Sequence, residues 1–260
     1  MSKLNASNLT LAYRDATIVD TLDLAIPPGQ ITALVGPNGC GKSTMLKGLA
    51  RILKPRAGAV YIDERPLAAQ SSKAIARQLA ILPQGPDAPE GLTVRQLVSY
   101  GRFAYQNAMG SLGAADHAAI TLALTETGLL DMAEHKVDAL SGGQRQRAWI
   151  AMALAQDTAL LLLDEPTTFL DVGHQLEVLK LLERLNSQQG RTVVMVLHDI
   201  NHAARFAHHI IAVKDGKVIG QGAPADLLTP ALLSQMFGVE ATVTTDQRTG
   251  KPHCVIYDLA

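Results

Sequence analysis

Several kinds of residue are scarce in this chain of 260 residues, and each shortage narrows what the protein can be. Its two cysteines, Cys40 and Cys254, are too few for a disulfide framework and fit a reducing compartment. No charge of one sign dominates, because 23 basic and 24 acidic residues leave a formal net charge of −1. Nothing in this balance favours nucleic acid or an anionic membrane surface as a general partner, so we expect no nucleic acid partner.

Long apolar segments are also missing. The first five residues contain no apolar core of the kind that a secretory signal needs, so we expect no such signal. The densest apolar stretch, residues 149–163, is interrupted by Gln156 and Asp157. A membrane span needs about 20 mostly apolar residues. We therefore expect a soluble chain that reaches any membrane process through a partner.

What the sequence does contain is the pattern of a sheet flanked by helices. Apolar residues make up 47% of the chain, enough for a sizeable core. Short aliphatic runs alternate with longer helical patterns, which is typical of a mostly parallel sheet. Buried strands are predicted at residues 31–35, 80–82, 160–163, 193–197 and 210–213. Antiparallel strands are predicted where apolar and polar residues alternate, at residues 9–12, 18–24 and 60–63.

The middle of the chain differs from this pattern, because residues 83–157 carry almost entirely helical signal. A turn-rich stretch at residues 84–91 opens this region and predicts a hinge. We therefore expect a single nucleotide-binding domain over residues 1–260. Within it, residues 87–157 would form an inserted α-helical subdomain and residues 241–260 a C-terminal tail.

A phosphate-binding loop is predicted at residues 36–43, which fit the pattern G-x-x-x-x-G-K-[ST] between a strand and a helix. Its glycines let successive N–H groups point at one anion, and the helix adds its positive end. A glycine-rich turn that happens to contain Lys-Ser is the alternative. We expect Lys42 on the β- and γ-phosphates and the Ser43 hydroxyl on Mg²⁺. The nucleotide-binding candidates are Gly36, Pro37, Asn38, Gly39, Cys40, Gly41, Lys42, Ser43 and Thr44.

Two carboxylates, Asp164 and Glu165, follow the predicted strand at residues 160–163. At the carboxyl end of that strand, Asp164 would lie beside the phosphate loop and hold Mg²⁺ directly or through water. Glu165 would then polarise the water that attacks the γ-phosphate, acting as a general base. A solvated loop is the alternative for an isolated Asp-Glu pair, and the neighbouring phosphate loop makes it the weaker one.

Together these motifs resemble the ATP-binding cassette (ABC) ATPases. The most specific match is residues 140–144, Leu-Ser-Gly-Gly-Gln, which is that family's signature. Four further matches follow in the family's order: Tyr13 for adenine stacking, Gln84 in the Q-loop, Asp171 in the D-loop and His198 as the switch histidine. Tyr13 could equally be a strand aromatic packed on the core. The D-loop departs slightly from the family's usual Ser-Ala-Leu-Asp, because residues 168–171 read Thr-Phe-Leu-Asp.

The resemblance implies an α/β fold with a P-loop NTPase (RecA-like) core, an antiparallel β subdomain and an inserted α-helical subdomain. It implies ATP and Mg²⁺ as cofactors and ATP hydrolysis as the activity. The implied catalytic residues are Glu165, His198 and Gln84. The implied metal ligands are Ser43, Gln84 and Asp164. The implied signature residues, acting on a second copy, are Ser141, Gly142, Gly143 and Gln144.

The signature predicts a second anion-binding cradle, because Ser141 and two glycines open a helix with exposed N–H groups. This cradle lies about 100 residues beyond the phosphate loop, so one chain cannot easily bring both to one phosphate. The resemblance implies a head-to-tail dimer in which each ATP lies between one subunit's phosphate loop and the other's signature. Closure on ATP would then be a ligand-driven two-state change.

Three classes of ABC protein compete. The chromosome and repair class carries long coiled coils, which this chain lacks, and translation factors carry two cassettes. The resemblance therefore implies an importer subunit on the cytoplasmic face of a bacterial inner membrane. Its partners would be permease subunits and, indirectly, a substrate-binding protein. Residues 93–102, 140–154, 164–171 and 198–201 resemble ferric-siderophore importer ATPases. Haem or vitamin B12 import, or a soluble non-transport ATPase, are the alternatives.

A docking surface for the permease is predicted at residues 87–110, downstream of the hinge. This segment has more apolar side chains than a solvated loop requires: Leu92, Val94, Leu97, Tyr100 and Phe103. Packing of some of them in the insertion's own core is the alternative. The eight histidines give no closed metal site, and apart from His198 we expect them to be surface or helix-face residues.

Overall fold

The structure, a computed structural model, describes residues 3–85, 89–106 and 110–260. Its strands are β1 Leu4–Tyr13, β2 Ala16–Ile26, β3 Ile31–Val35, β4 Ala57–Ile62, β5 Arg65–Pro66, β6 Leu79–Leu82, β7 Leu160–Leu163, β8 Thr192–Val196, β9 His209–Lys214, β10 Lys217–Gly222, β11 Val239–Thr245 and β12 Pro252–Leu259. Its α-helices are α1 Lys42–Leu49, α2 Ser72–Ala76, α3 Val94–Ser99, α4 Ala114–Glu126, α5 Gly142–Ala155, α6 Val172–Gln189, α7 Ile200–Phe206, α8 Pro224–Leu227 and α9 Pro230–Phe237.

The main sheet has the strand order β10-β9-β3-β8-β7-β6 and is parallel except at β10. Its central strands β3, β7 and β8 are buried along their whole length, because helices cover both faces. All five predicted core strands are present; two have the predicted bounds, and the ends of the other three shift by at most one residue, as where the strand expected at 193–197 runs from Thr192 to Val196. The predicted α/β fold class is confirmed.

A second sheet, β2-β1-β4-β5, is antiparallel, as the alternating pattern predicted. Helix α1 lies between this sheet and the main one, and its Met45, Leu46 and Leu49 are buried in the core that the two sheets share. Gly48 allows the close approach, since a Cβ there would lie 2.5 Å from Leu11 Cδ1. This packing fixes α1 between the two sheets.

Residues 89–157 contain α3, α4, α5 and short 3₁₀ segments, and their described part has no strand. Two of the side chains proposed for docking, Val94 and Leu97, are fully buried in the core that these helices form, so they are not available to a partner. Part of the expected hinge, residues 86–88, lies outside the described residues. The division of the chain at residues 87–157 stays a prediction. No helix that the structure describes is long and apolar enough to span a bilayer.

Arg102 ties the 3₁₀ segment Tyr100–Tyr105 to two helices. Its Nε donates to Asp116 Oδ1 at the start of α4 over 2.9 Å, and another guanidinium nitrogen donates to the carbonyl of Ala155 at the end of α5 over 2.9 Å. The guanidinium carbon lies 3.6 Å from the centroid of the Tyr105 ring, in cation–π geometry. The ion pair between Arg102 and Asp116 is buried, so it is shielded from water and salt.

The chain ends in a hairpin, β11–β12, which packs on α7. The Asn201 side chain joins the two by donating to the carbonyl of Cys254 over 3.0 Å and accepting from its N–H over 2.7 Å. The Cys254 side chain is buried beneath this contact. The hairpin is therefore attached next to the segment that follows His198, and the separate tail at residues 241–260 stays a prediction.

Replacing Arg102 with Met should destabilise the fold, because it leaves the Asp116 carboxylate buried without its cation. We expect the free energy of unfolding, measured in urea, to fall by about 3–5 kcal/mol. Arg95→Met is the matched control, because the Arg95–Glu134 pair is at least as short, at 2.6 Å, but solvent-exposed. It should cost at most about 1 kcal/mol, and equal losses in the two variants would contradict the expectation.

Candidate nucleotide-binding site

The loop at residues 36–43 joins β3 to α1, and three of its glycines have positive φ angles. Gly36, Gly39 and Gly41 have φ values of 152°, 76° and 103°, which side chains with a Cβ rarely adopt. At Gly36 there is also no room, since a Cβ would lie 2.1 Å from the carbonyl oxygen of Val213. The loop therefore needs glycine at these positions to curl its N–H groups around one point.

Lys42 is the first residue of α1, and only 5% of it is exposed. Its Nζ donates to the carbonyls of Gly36 and Pro37 over 2.9 and 2.8 Å. Both acceptors are neutral, so the positive charge of the ammonium is not compensated by a carboxylate there. The loop thus holds a nearly buried cation where a phosphate would be stabilised.

Ser43 and Asp164 meet where β3 and β7 end. The Ser43 hydroxyl donates to Asp164 Oδ1 over 2.7 Å, while Asp164 Oδ2 is buried with no hydrogen-bond partner among the described residues. Burial raises the pKa of Asp164, because desolvation disfavours its charged form. A hydroxyl and a buried carboxylate with a free oxygen are ligands that Mg²⁺ prefers, so this pair fits a cation.

Glu165 is the point where three separate segments of the chain converge. Its φ of 54° lies in the left-handed region, which residues with a Cβ rarely adopt. Gln84 Nε2 donates to Oε2 over 2.5 Å, Thr168 Oγ1 donates to the same oxygen over 2.9 Å, and His198 Nε2 lies 2.6 Å from Oε1. The structure thus brings the three expected catalytic side chains into direct contact.

A cavity of about 440 Å³ opens above these groups, a size within the range of small-molecule sites. Tyr13 is 44% exposed at its wall, so its ring is not packed in the core, contrary to the alternative interpretation. Four of the predicted residues, Gly36, Pro37, Cys40 and Asp164, are absent from the described residues that line it. The lining residues are Tyr13, Ile18, Asn38, Gly39, Gly41, Lys42, Ser43, Thr44, Gln84, Glu165 and His198.

The signature lies elsewhere, at the start of α5. Ser141 is the N-cap, and its hydroxyl and the Gln144 side chain accept hydrogen bonds from each other's backbone N–H. None of residues 141–144 is among the described residues that line the cavity. Asp171 is the N-cap of α6, where its carboxylate accepts the backbone N–H of His174, and the nearby Phe169 is 91% exposed. Within one chain, the signature and the D-loop are therefore not part of the cavity's wall.

Two residues of the site carried no assigned role in the sequence. Thr168 lies within the D-loop match, and its hydroxyl could have been noticed three residues after Glu165. Ile18 lines the cavity beside Tyr13, but in the sequence it is one apolar position of an alternating strand. Only the pairing of β1 with β2, which joins Tyr13 to Ala16, brings the two side chains near each other.

The other histidines include a structural one, His208, whose Nδ1 accepts the N–H of Ile31 over 3.1 Å. Burial lowers the pKa of His208, which keeps the ring neutral and able to accept that bond. Within the described residues, no group of three or more His, Cys, Asp or Glu side chains is arranged to hold a metal ion.

A phosphate loop after β3, an acidic pair after β7 and a capped helix α5 in the helical region define a nucleotide-binding cassette. The family model for the ABC transporter matches residues 19–168, more than half of the chain. The chain belongs to the ABC transporter family and is one of its ATP-hydrolysing subunits.

Similar proteins agree with this assignment. The iron(3+)-hydroxamate import ATP-binding protein FhuC of Bacillus subtilis (strain 168) is 56% identical over 259 residues, covering 100% of this chain and 96% of its own length. An inward-facing ABC transporter assigned to the metal-chelate type has a TM-score of 0.84 at 29% identity, covering 98% of this chain and 97% of its own. The dimeric cassette MJ0796, bound to ADP and Pi after hydrolysis, has a TM-score of 0.74 at 32% identity and covers 85% of this chain and 98% of its own.

A maleimide should inactivate the ATPase by reacting with Cys40, and MgATP should slow the inactivation. The Cys40 sulfur is buried inside the phosphate loop, 3.8 Å from Lys42 Nζ, so the reagent reaches it only when the loop opens, and a bound nucleotide would hold the loop closed. The Cys254→Ser variant should be inactivated as fast as the parent, because burial raises the pKa of the Cys254 thiol and lowers its thiolate fraction. Equal rates with and without MgATP would contradict the expectation.

Proposed function

We propose that this chain is the ATP-binding and ATP-hydrolysing subunit that energises an importer of ferric siderophores. The observation that carries the hydrolytic part is the contact of Gln84 and His198 with the Glu165 carboxylate, beside the Ser43–Asp164 pair. These three side chains are positioned to orient and activate a water at the γ-phosphate of a nucleoside triphosphate. The importer part is supported by the 56% identity to an iron(3+)-hydroxamate import ATP-binding protein.

Each side chain of the cavity has a role in this proposal. The loop N–H groups and Lys42 bind the phosphates, and Tyr13 stacks on the adenine. Glu165 accepts a proton from the attacking water while Gln84 and His198 hold the carboxylate and the water in line. Ser43, Asp164 and Gln84 would hold Mg²⁺, which when bound neutralises phosphate charge.

The active unit in this proposal is a head-to-tail dimer of two copies. The residues that line one chain's cavity do not include its own signature or Asp171 among those described, so the open side of each cavity is left for the partner. The free N–H groups at the start of α5 and the exposed Phe169 are features that a second copy would cover. The dimeric MJ0796 cassette supports this arrangement.

The permease would dock beside the 3₁₀ segment Tyr100–Tyr105. A second cavity of about 520 Å³ lies between this segment and α2, and Phe103 at its edge is 73% exposed. The apolar rim and the concave shape suit a short helix inserted from a membrane protein. Of the side chains that the sequence pointed to, Tyr100 and Phe103 face out while Val94 and Leu97 do not. The subunit would therefore be peripheral, on the cytoplasmic face of a bacterial inner membrane.

The cargo is inferred through the relative and not from a site in this chain. The nucleotide cavity and the cavity beside Tyr100–Tyr105 are assigned to ATP and to the permease, so neither is an argument for a siderophore site. The permease and a substrate-binding protein would recognise the siderophore. Haem and vitamin B12 remain the competing cargoes, and uptake assays of the assembled transporter with each ligand would decide among them.

Glu165→Gln should bind ATP but hydrolyse it at least about 100-fold more slowly, because the amide cannot accept the proton of the attacking water. The variant should also accumulate as an ATP-loaded dimer in size-exclusion chromatography. Glu64→Gln, in the exposed turn between β4 and β5, is the control and should keep the parent's turnover. Near-parental hydrolysis by Glu165→Gln would show that another group is the base.

Phe103→Glu should abolish transport by the assembled complex and leave the isolated subunit's ATPase near the parental rate. The reason is that Phe103 lies at the rim of the docking cavity, outside the nucleotide site. Leu122→Glu changes another exposed apolar residue, on α4 and away from that cavity, and should have no effect on transport. Full transport by Phe103→Glu would rule out docking at this surface.

A further inference from the structure

The D-loop and the signature of one chain are in contact through His174, a residue of α6 that belongs to neither motif. The ring of His174 lies over Gly143, so close that a Cβ on Gly143 would be 2.6 Å from Cδ2 and 2.8 Å from Cγ of the ring. On its other side, the ring's Nδ1 is 2.9 Å from each carboxylate oxygen of Asp171. One imidazole thus spans from the D-loop to the first turn of α5.

Gly143 permits this contact, because a Cβ there would collide with the imidazole ring. It is an ordinary helical residue of α5, so its backbone does not require glycine. At the neighbouring Gly142, by contrast, a Cβ would meet no described atom within 4 Å. The two glycines therefore differ: Gly142 leaves the helix end open toward a ligand, and Gly143 lets the imidazole pack against the helix backbone.

Asp171 is held by the same histidine through two kinds of bond. Its Oδ1 accepts the backbone N–H of His174 over 2.9 Å, which caps α6 whatever side chain residue 174 carries. The backbone and ring hydrogen bonds from His174 both lower the pKa of Asp171, since they stabilise the carboxylate. The ring can donate from Nδ1, so the Nδ1–H tautomer joins the capped D-loop to the signature.

We propose that His174 is a positioning residue that makes the D-loop and the signature turn of one subunit move as a unit against the partner's ATP. The inference rests on the proposed function, in which both segments act on the other copy. An ATP that binds the signature then also positions the D-loop, because displacing either one breaks a contact of the same imidazole. The His174 contacts therefore favour closure of the dimer and do not change nucleotide binding to a single chain.

The test uses the full-length Glu165→Gln protein, in which ATP should drive dimerisation without turnover. His174→Ala in this background should keep its affinity for a fluorescent ATP analogue as a monomer, because Tyr13 and the phosphate loop are untouched. The ATP concentration for half-maximal dimerisation, measured by analytical ultracentrifugation, should rise about tenfold, within the range of measured coupling effects. His135→Ala, an exposed histidine of the helical region, is the matched control and should change neither value.

Two conservative variants separate the contacts and guard against misfolding. His174→Asn keeps a donor near Asp171 but not the ring over Gly143, and His174→Phe keeps the ring but not the donor. Each should recover part of the loss seen in His174→Ala. If the Ala, Asn and Phe variants of His174 all dimerise at the same ATP concentration as the parent, the role inferred for His174 is wrong and the proposed function is unaffected. Failure of the Glu165→Gln parent itself to dimerise with ATP would overturn the proposed function, and this inference with it.

Discussion

The alignment of four parallel strands is the constraint on which the site depends. Strands β3, β8, β7 and β6 are neighbours in register, so their carboxyl ends lie along one edge of the sheet. The segments that leave those ends carry the phosphate loop, His198, the acidic pair and Gln84, in that order across the sheet. In parallel α/β sheets this edge is where ligands bind. A shift of one strand by a residue would turn its side chains to the opposite face and separate these groups.

At that edge of the sheet two ionisable side chains, Lys42 and Asp164, are buried. Their burial preorganises the site for a charged ligand. Lys42 is nearly buried with two carbonyls and the Cys40 sulfur as its partners among the described residues, and Asp164 is buried there with one oxygen unpaired. Each arrangement is costly in isolation, because a desolvated charge needs compensation. In the proposed function, a triphosphate with a divalent cation would supply the missing charge to both. Part of the favourable energy of nucleotide binding therefore comes from relieving groups that the fold holds ready.

The helical region carries the signature, which lies away from the nucleotide cavity of its own chain. Helix α5 has the signature at its start, and its last residue accepts a hydrogen bond from Arg102, next to the exposed Phe103. One rigid helix of 14 residues therefore links the expected docking surface to the segment expected on the partner's ATP. His174 adds the D-loop to the same body. A movement of the docking surface would therefore also move the signature, which is the coupling that a membrane subunit and its ATPase need.

Much of this protein followed from the sequence alone, where the chemistry is local. The phosphate loop, the Asp164–Glu165 pair and the capped start at Ser141 are short motifs whose spacing already specifies a backbone shape, and the central strands followed from unbroken apolar runs. The contacts between distant segments did not follow. The convergence of Gln84 and His198 on Glu165, the outward position of Phe103 beside the buried Leu97, and the imidazole of His174 against Gly143 all depend on how elements far apart in the chain pack. A linear pattern determines which face of an element is apolar, but only tertiary packing decides which neighbour that face meets.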